Sequence, residues 1–263
     1  MRCKGKVKIK GPDGRKRTKL CNTKLDDKAI FCPICGEPTQ ALKNELSAKR
    51  NWKKSWEAVK ANLSKYLPFS IFIIFSALLI NIVAFILTRE NYWHLNLTML
   101  FTVPLLLIPL SISDYEFTIR NYINNLKLYP LYLVFVLLNI VYFFLLKVIC
   151  TGFLLNISID AVLHIVRLIM VLYWLAIILP TPVAMAHKKL NVFKALRLSY
   201  IASAETRWQQ FFLEIFIIGG IAIGAALAGL GLLVAIPLMY HAIIHYYHSL
   251  DDFDLFEAKT KKN

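Results

Sequence analysis

Long apolar stretches fill the chain from Tyr66 onward, and none precedes it. A helix needs about 20 apolar residues to cross the hydrocarbon core of a bilayer. Leu67–Leu87 meets that length, interrupted only by Ser70, Ser76 and Asn81. Leu95–Ile112 is shorter and holds Pro104 and Pro109, so it reads as a kinked span or a re-entrant loop. Tyr129–Ile149 and Ala161–Ala186 are both long enough, the second with Pro180 and Pro182 near its end. Phe211–Tyr247 is too long for one span, and Gly224, Gly229 and Gly231 predict a turn inside it. The pattern thus predicts six membrane helices, the last two forming a tight hairpin.

Charge decides how the doubtful second segment counts. With six spans and a cytosolic N-terminus, the cytosolic loops 113–128 and 187–209 and the C-terminal tail carry ten cations. These are Arg120, Lys127, Lys188, Lys189, Lys194, Arg197, Arg207, Lys259, Lys261 and Lys262. The outer loops keep only Arg89, with Lys147 and Arg167 inside helix ends. That asymmetry follows the positive-inside rule. If the second segment did not cross, the Lys188–Arg207 loop would lie outside. The expectation is a multi-pass protein of the cytoplasmic (inner) membrane with both termini in the cytosol.

Composition divides the chain at the same boundary. It has 263 residues, 57% hydrophobic, with a net charge of +15. Residues 1–65 hold 18 of the 31 Lys and Arg but only 6 of the 16 acidic residues. The first twenty residues are too polar for the apolar core of a secretory signal, so the basic head is expected to stay in the cytosol. Four of the five cysteines lie in this head, where a reducing compartment favours thiolate–metal chemistry over disulfides.

The sharpest motif is Cys32-Pro33-Ile34-Cys35-Gly36. Two thiolates two residues apart can grip one tetrahedral ion, and the glycine lets backbone N–H groups turn towards the sulfurs. A closed structural site needs two more ligands, and only Cys3 and Cys21 remain in the head. Between them, Gly11-Pro12-Asp13-Gly14 is a strong turn signal. Folding there makes a β-hairpin that brings Cys3 and Cys21 side by side. The expected metal set is Cys3, Cys21, Cys32 and Cys35 around structural zinc; the alternative is an unpaired Cys3 and three ligands. From Cys21 onward, CNTKLDDKAIFCPICGEP resembles the short zinc ribbon that opens many bacterial membrane and secretion-linked proteins. This chain departs from that pattern in its widened first ligand pair. The hairpin is basic, but it has no aromatic residue to stack on a base, which weighs against nucleic acid and towards anionic lipid or solvent.

Two further segments alternate aromatic and basic residues at helical spacing. In residues 45–66, Trp52, Trp56, Val59, Leu63 and Tyr66 recur on one side, and Lys53, Lys54 and other cations fill the rest. That is a basic amphipathic helix suited to the lipid surface, since the head offers little else to pack against. In 188–208, Leu190, Phe193, Leu196, Tyr200, Ala204 and Trp208 predict a second interfacial helix. The run ALRLSY, a following Trp, the Gly-rich hairpin and an Ile-Pro-Leu near the last span resemble the membrane domain attached to some bacterial glycerophosphodiester phosphodiesterases. The resemblance implies a six-helix membrane module and brings no catalytic residue, because the phosphodiesterase domain is absent. The organisation expected is a zinc ribbon at 1–40, a linker helix at 41–66, an all-α six-helix transmembrane domain at 67–250 and a tail at 251–263.

Ionisable groups inside spans are costly, so each invites a functional reading. Asp160, His164 and Arg167 share one helix face, as an outer-end ion pair or a polar ligand site. His241, His245 and His248 recur at i, i+4 and i+7, with Glu214 at similar depth on the preceding antiparallel helix. They read as part of an interfacial belt with Tyr240, Tyr246 and Tyr247, or as a second metal or proton site. Cys150 has no nearby base, and no hydrolase, P-loop, zincin or dinucleotide motif is present. Three functions follow in order. The first is a non-enzymatic membrane module that contacts lipid or recruits a cytosolic or membrane protein partner. The second is a transporter or lipid-handling protein using Asn81 and Asn139 at the midplane. The third is a metal-dependent enzyme built on the histidine stripe.

Overall fold

The computed structural model describes residues 6–10, 16–21, 23, 24, 32, 39, 44, 46–88, 93–112, 115–151, 157–204, 206–227 and 229–252. In the head, strands β1 (Lys6–Lys10) and β2 (Lys16–Leu20) pair antiparallel, in register from Lys6 opposite Leu20 to Lys10 opposite Lys16. This is the hairpin expected from the Gly-Pro-Asp-Gly signal. The turn residues themselves, together with Cys3 and Cys35, lie outside the described residues.

The rest is helical. Helix α1 (Ala48–Ala61) ends at Asn62, whose amide side chain bonds Ala58 O, and α2 (Leu63–Thr88) follows at once. Leu63 and Tyr66, read from sequence as the end of the linker helix, therefore belong to the first spanning helix. Next come α3 (Trp93–Leu107), a 3-10 turn at Ile108–Ser111, α4 (Ile119–Asn125) and α5 (Tyr129–Thr151). Helix α6 (Ile157–Ile178) breaks at Leu179-Pro180, and α7 (Thr181–His187) resumes with Pro182 in its first turn. The last three are α8 (Val192–Ser203), α9 (Arg207–Ala226) and α10 (Leu232–Asp252).

Among the described residues, four stretches are long and apolar enough to cross a membrane: Leu63–Ile86, Ile119–Val148, Val162–His187 and Arg207–Ala226. Their outward faces expose large apolar side chains such as Ile71, Phe75, Leu78 and Ile86 on α2, and Ile165 and Ile169 on α6. Contiguous exposure of that extent suits hydrocarbon rather than water. Two segments expected to span stand apart from these four. Leu100–Ser111 is apolar but short. Helix α10 has the length, but three histidines and two aspartates dilute its apolar character.

Helix α10 is the core of the bundle. It packs on α1, α2 and α9 and buries Leu238, Tyr240, His241, Ile244, Tyr246 and Tyr247 among others. Tyr240, Tyr246 and Tyr247 are buried against neighbouring helices and not on the outer surface, where an interfacial belt would place them. A buried hydroxyl needs a partner, and Tyr240 Oη donates to Leu106 O at 2.8 Å. The same logic joins α5 to its neighbours. Tyr132 Oη donates to Pro182 O at 3.2 Å, and Trp174 Nε1 donates to Asn139 Oδ1 at 2.8 Å.

The helical hairpin forms where the glycines predicted it. Gly229 has φ +79°, and a Cβ on Gly231 would lie 2.6 Å from Gly224 Cα, so only glycine lets the two backbones touch. Gly220, one turn before Gly224 on α9, receives Trp52. A Cβ there would come 3.0 Å from the indole ring.

Candidate functional site

Helix α1 does have a surface to pack on. Ala48, Asn51, Ser55 and Val59 form its buried stripe against α9 and α10. The polar members are satisfied within the helix, Asn51 Nδ2 donating to Ser47 O and Ser55 Oγ to Asn51 O. Trp52 stacks on Phe216 with ring centroids 5.8 Å apart. The aromatic face expected from sequence is thus divided. Val59 and Tyr66 are buried, whereas Trp56 is 46% exposed and Leu63 37%. Around that exposed edge Lys49, Arg50, Lys53, Lys54, Lys60 and Lys65 all face outward. One weak pair, Lys53–Glu57 at 3.9 Å, is the type of exposed contact that adds little.

Helix α8 is built the same way. Small residues Ala195, Ser199, Ala202 and Ser203 are buried, and Phe193 and Tyr200 are exposed along with Trp208 just beyond it. Asn191 caps its start by accepting from Lys194 N at 2.9 Å. Arg207 Nη1 donates to Tyr173 Oη at 2.6 Å and its guanidinium lies over the Tyr173 and Tyr200 rings. Two aromatic-and-basic surfaces therefore flank the same end of the bundle.

Between α1, the first turn of α2, the 115–118 loop and α10 lies a cleft of about 830 Å³. It is lined by Lys54, Ser55, Ala58, Asn62 and Lys65 from α1 and the start of α2, by Tyr115, Glu116, Phe117 and Thr118 from the loop, and by Tyr66, His241 and His245. His241 is enclosed by rings. Tyr115 stacks on it at 4.9 Å with 6° between planes, and Tyr66 and Phe117 meet it edge-on at 5.2 Å. Its Nε2 is buried and makes no hydrogen bond. Tyr115 adopts φ +55°, an uncommon conformation for a bulky side chain, and Tyr66 Oη donates to its carbonyl at 3.4 Å. Burial first, then the Asp252 carboxylate, push the Tyr115 phenol up to about 12, so it stays neutral.

The histidine stripe does not converge. His245 takes a bond at its carbonyl from Ser249 Oγ, 2.9 Å away, and His248 lies against His187 and Tyr115. Glu214 is 4% exposed and neither carboxyl oxygen has a hydrogen-bond partner. Among the described residues, no group of three or more His, Cys, Asp and Glu is placed to hold a metal ion. The two asparagines expected at the midplane are engaged within the protein, Asn81 Nδ2 with Ala77 O at 2.8 Å and Asn139 with Phe135 O and Trp174. On α6, His164 is exposed; the side chains of Asp160 and Cys150 lie outside the described residues. In the head, Cys21 Sγ and Cys32 Sγ are 3.6 Å apart, and Cys21 Sγ is 2.9 Å from Thr23 Oγ1.

The cleft was not legible in sequence. The 115–118 loop meets α10 across more than a hundred residues, and only the unusual density of Tyr, Phe and His in both segments hinted at it. No protein-family model matches the chain, and no curated protein or solved structure matches it either.

Proposed function

We propose that this is a non-enzymatic membrane protein whose cytosolic face grips anionic lipid and presents a zinc ribbon to a protein partner. In this reading the chain inserts six helices into the cytoplasmic membrane with both termini in the cytosol. The observation that carries it is the division of α1. A buried stripe of small residues ties the helix to α9 and α10, while Trp56 and the cations Lys49, Arg50, Lys53, Lys54 and Lys60 are exposed on its other sides. Each cation near an anionic leaflet contributes about 1 kcal/mol, screened beyond a Debye length. The exposed Phe193, Tyr200 and Trp208 give a second anchor on the same face.

The 3.6 Å between Cys21 and Cys32 sulfurs supports the zinc reading. It is far longer than a disulfide, and two thiolates on one tetrahedral zinc at about 2.3 Å lie about 3.8 Å apart. Cys3 and Cys35 would complete the four ligands, and such a closed site stabilises a small head without supplying chemistry. Placing a photo-crosslinking amino acid at position 56 or 208 in cells tests the reading. Phospholipid or discrete protein adducts are expected at both positions. A protein that crosslinks to neither would overturn it.

A further inference from the structure

We propose that the cleft at the foot of α1 binds the phosphate of one anionic glycerophospholipid from the cytosolic leaflet; the inference rests on the orientation and lipid contact proposed above. The volume of about 830 Å³ is in the range of ligand pockets and far beyond a packing defect. Lys54 and Lys65 line it from two different helices and can clamp a phosphate between two ammonium groups. His241 also lines it, 4% exposed, with its Nε2 unpartnered in the protein. Buried ring nitrogens are ordinarily hydrogen-bonded, and a phosphate oxygen would accept from an Nε2–H. Three other polar lining groups are already engaged: Ser55 with Asn51 O, Asn62 with Ala58 O, and Thr118 with the Asn121 amide.

Two features select a lipid over free phosphate. Glu116 in the lining opposes a doubly charged group, and a phosphodiester carries one charge where inorganic phosphate is partly dianionic at neutral pH. Beside the cleft, Leu63 and Leu67 are exposed at the start of the apolar run of α2, in line for the acyl chains of a bound lipid.

Native mass spectrometry of the full chain, released from nanodiscs of mixed phosphatidylglycerol and phosphatidylcholine, tests this. One phosphatidylglycerol should stay bound per chain. The Lys54→Gln/Lys65→Gln pair should lower its retention at least about tenfold, since it removes two charge-assisted contacts. Lys49→Gln/Lys53→Gln removes two cations outside the cleft and should lower retention distinctly less, because it weakens only the general surface attraction. Equal loss in both pairs would overturn the cleft and leave the general lipid contact of α1 standing; no loss in either would also overturn it. His241→Phe keeps the ring packing and should cut retention several-fold, whereas unchanged retention would remove the imidazole from the site. Displacement of the lipid by millimolar inorganic phosphate would reassign the cleft to soluble phosphate and overturn the lipid assignment.

Discussion

Helices α2 and α10 are neighbours of similar length with opposite logic. Helix α2 is apolar nearly all round and exposes Phe75, Leu79, Ile82 and Ile86. Helix α10 carries three histidines and three tyrosines and buries most of them. In water the polar helix would be the exposed one. Hydrocarbon reverses the rule, because lipid solvates leucine well and leaves any unpaired polar group unsatisfied. Hydropathy therefore finds the helices that touch lipid and under-reads the one at the centre.

The sharpest way to break this contrast is at the backbone contact that lets α10 enter the bundle. Gly231→Leu drives a side chain into Gly224 and should destabilise the folded protein by at least about 3 kcal/mol. The same change at Gly219, which has nothing within 4 Å, should be nearly silent in the same unfolding assay. Matching losses at both positions would mean the hairpin does not close as described.

A smaller effect is expected from the polar contacts that burial demands. Tyr240→Phe removes the hydroxyl from Leu106 O and should cost about 1 kcal/mol, because the carbonyl is left without that donor. A double-mutant cycle of Asn139→Leu with Trp174→Phe should give a coupling of roughly 0.6–1.7 kcal/mol, as for other interhelical bonds in membranes. Zero coupling would detach that bond from the packing of α5 on α6. The smallest effect belongs to the exposed apolar face of α2, where Ile82→Leu or Phe75→Leu should change stability by no more than about 0.5 kcal/mol.

What sequence could show follows from the same contrast. Local signals held. The Gly-Pro-Asp-Gly run marked the β1–β2 hairpin, and the glycines at 224–231 marked the helical hairpin. Signals that depend on a partner did not. The aromatic face of α1 was visible, but its stripe of Ala48, Asn51 and Ser55 is too polar to announce a packing surface. His241 looked like a ligand or a belt residue because Tyr66, Tyr115 and Phe117, which surround it, come from two other elements.

Hydrogen exchange across Ala48–Ala61 of the full protein in nanodiscs bears most directly on the divided helix. With phosphatidylglycerol present, exchange along α1 is expected to be several-fold slower than in pure phosphatidylcholine, and raising salt should erase most of the difference as the cations are screened. Exchange that is the same in both lipids at low salt would contradict the claim that this helix ties the cytosolic head to an anionic surface.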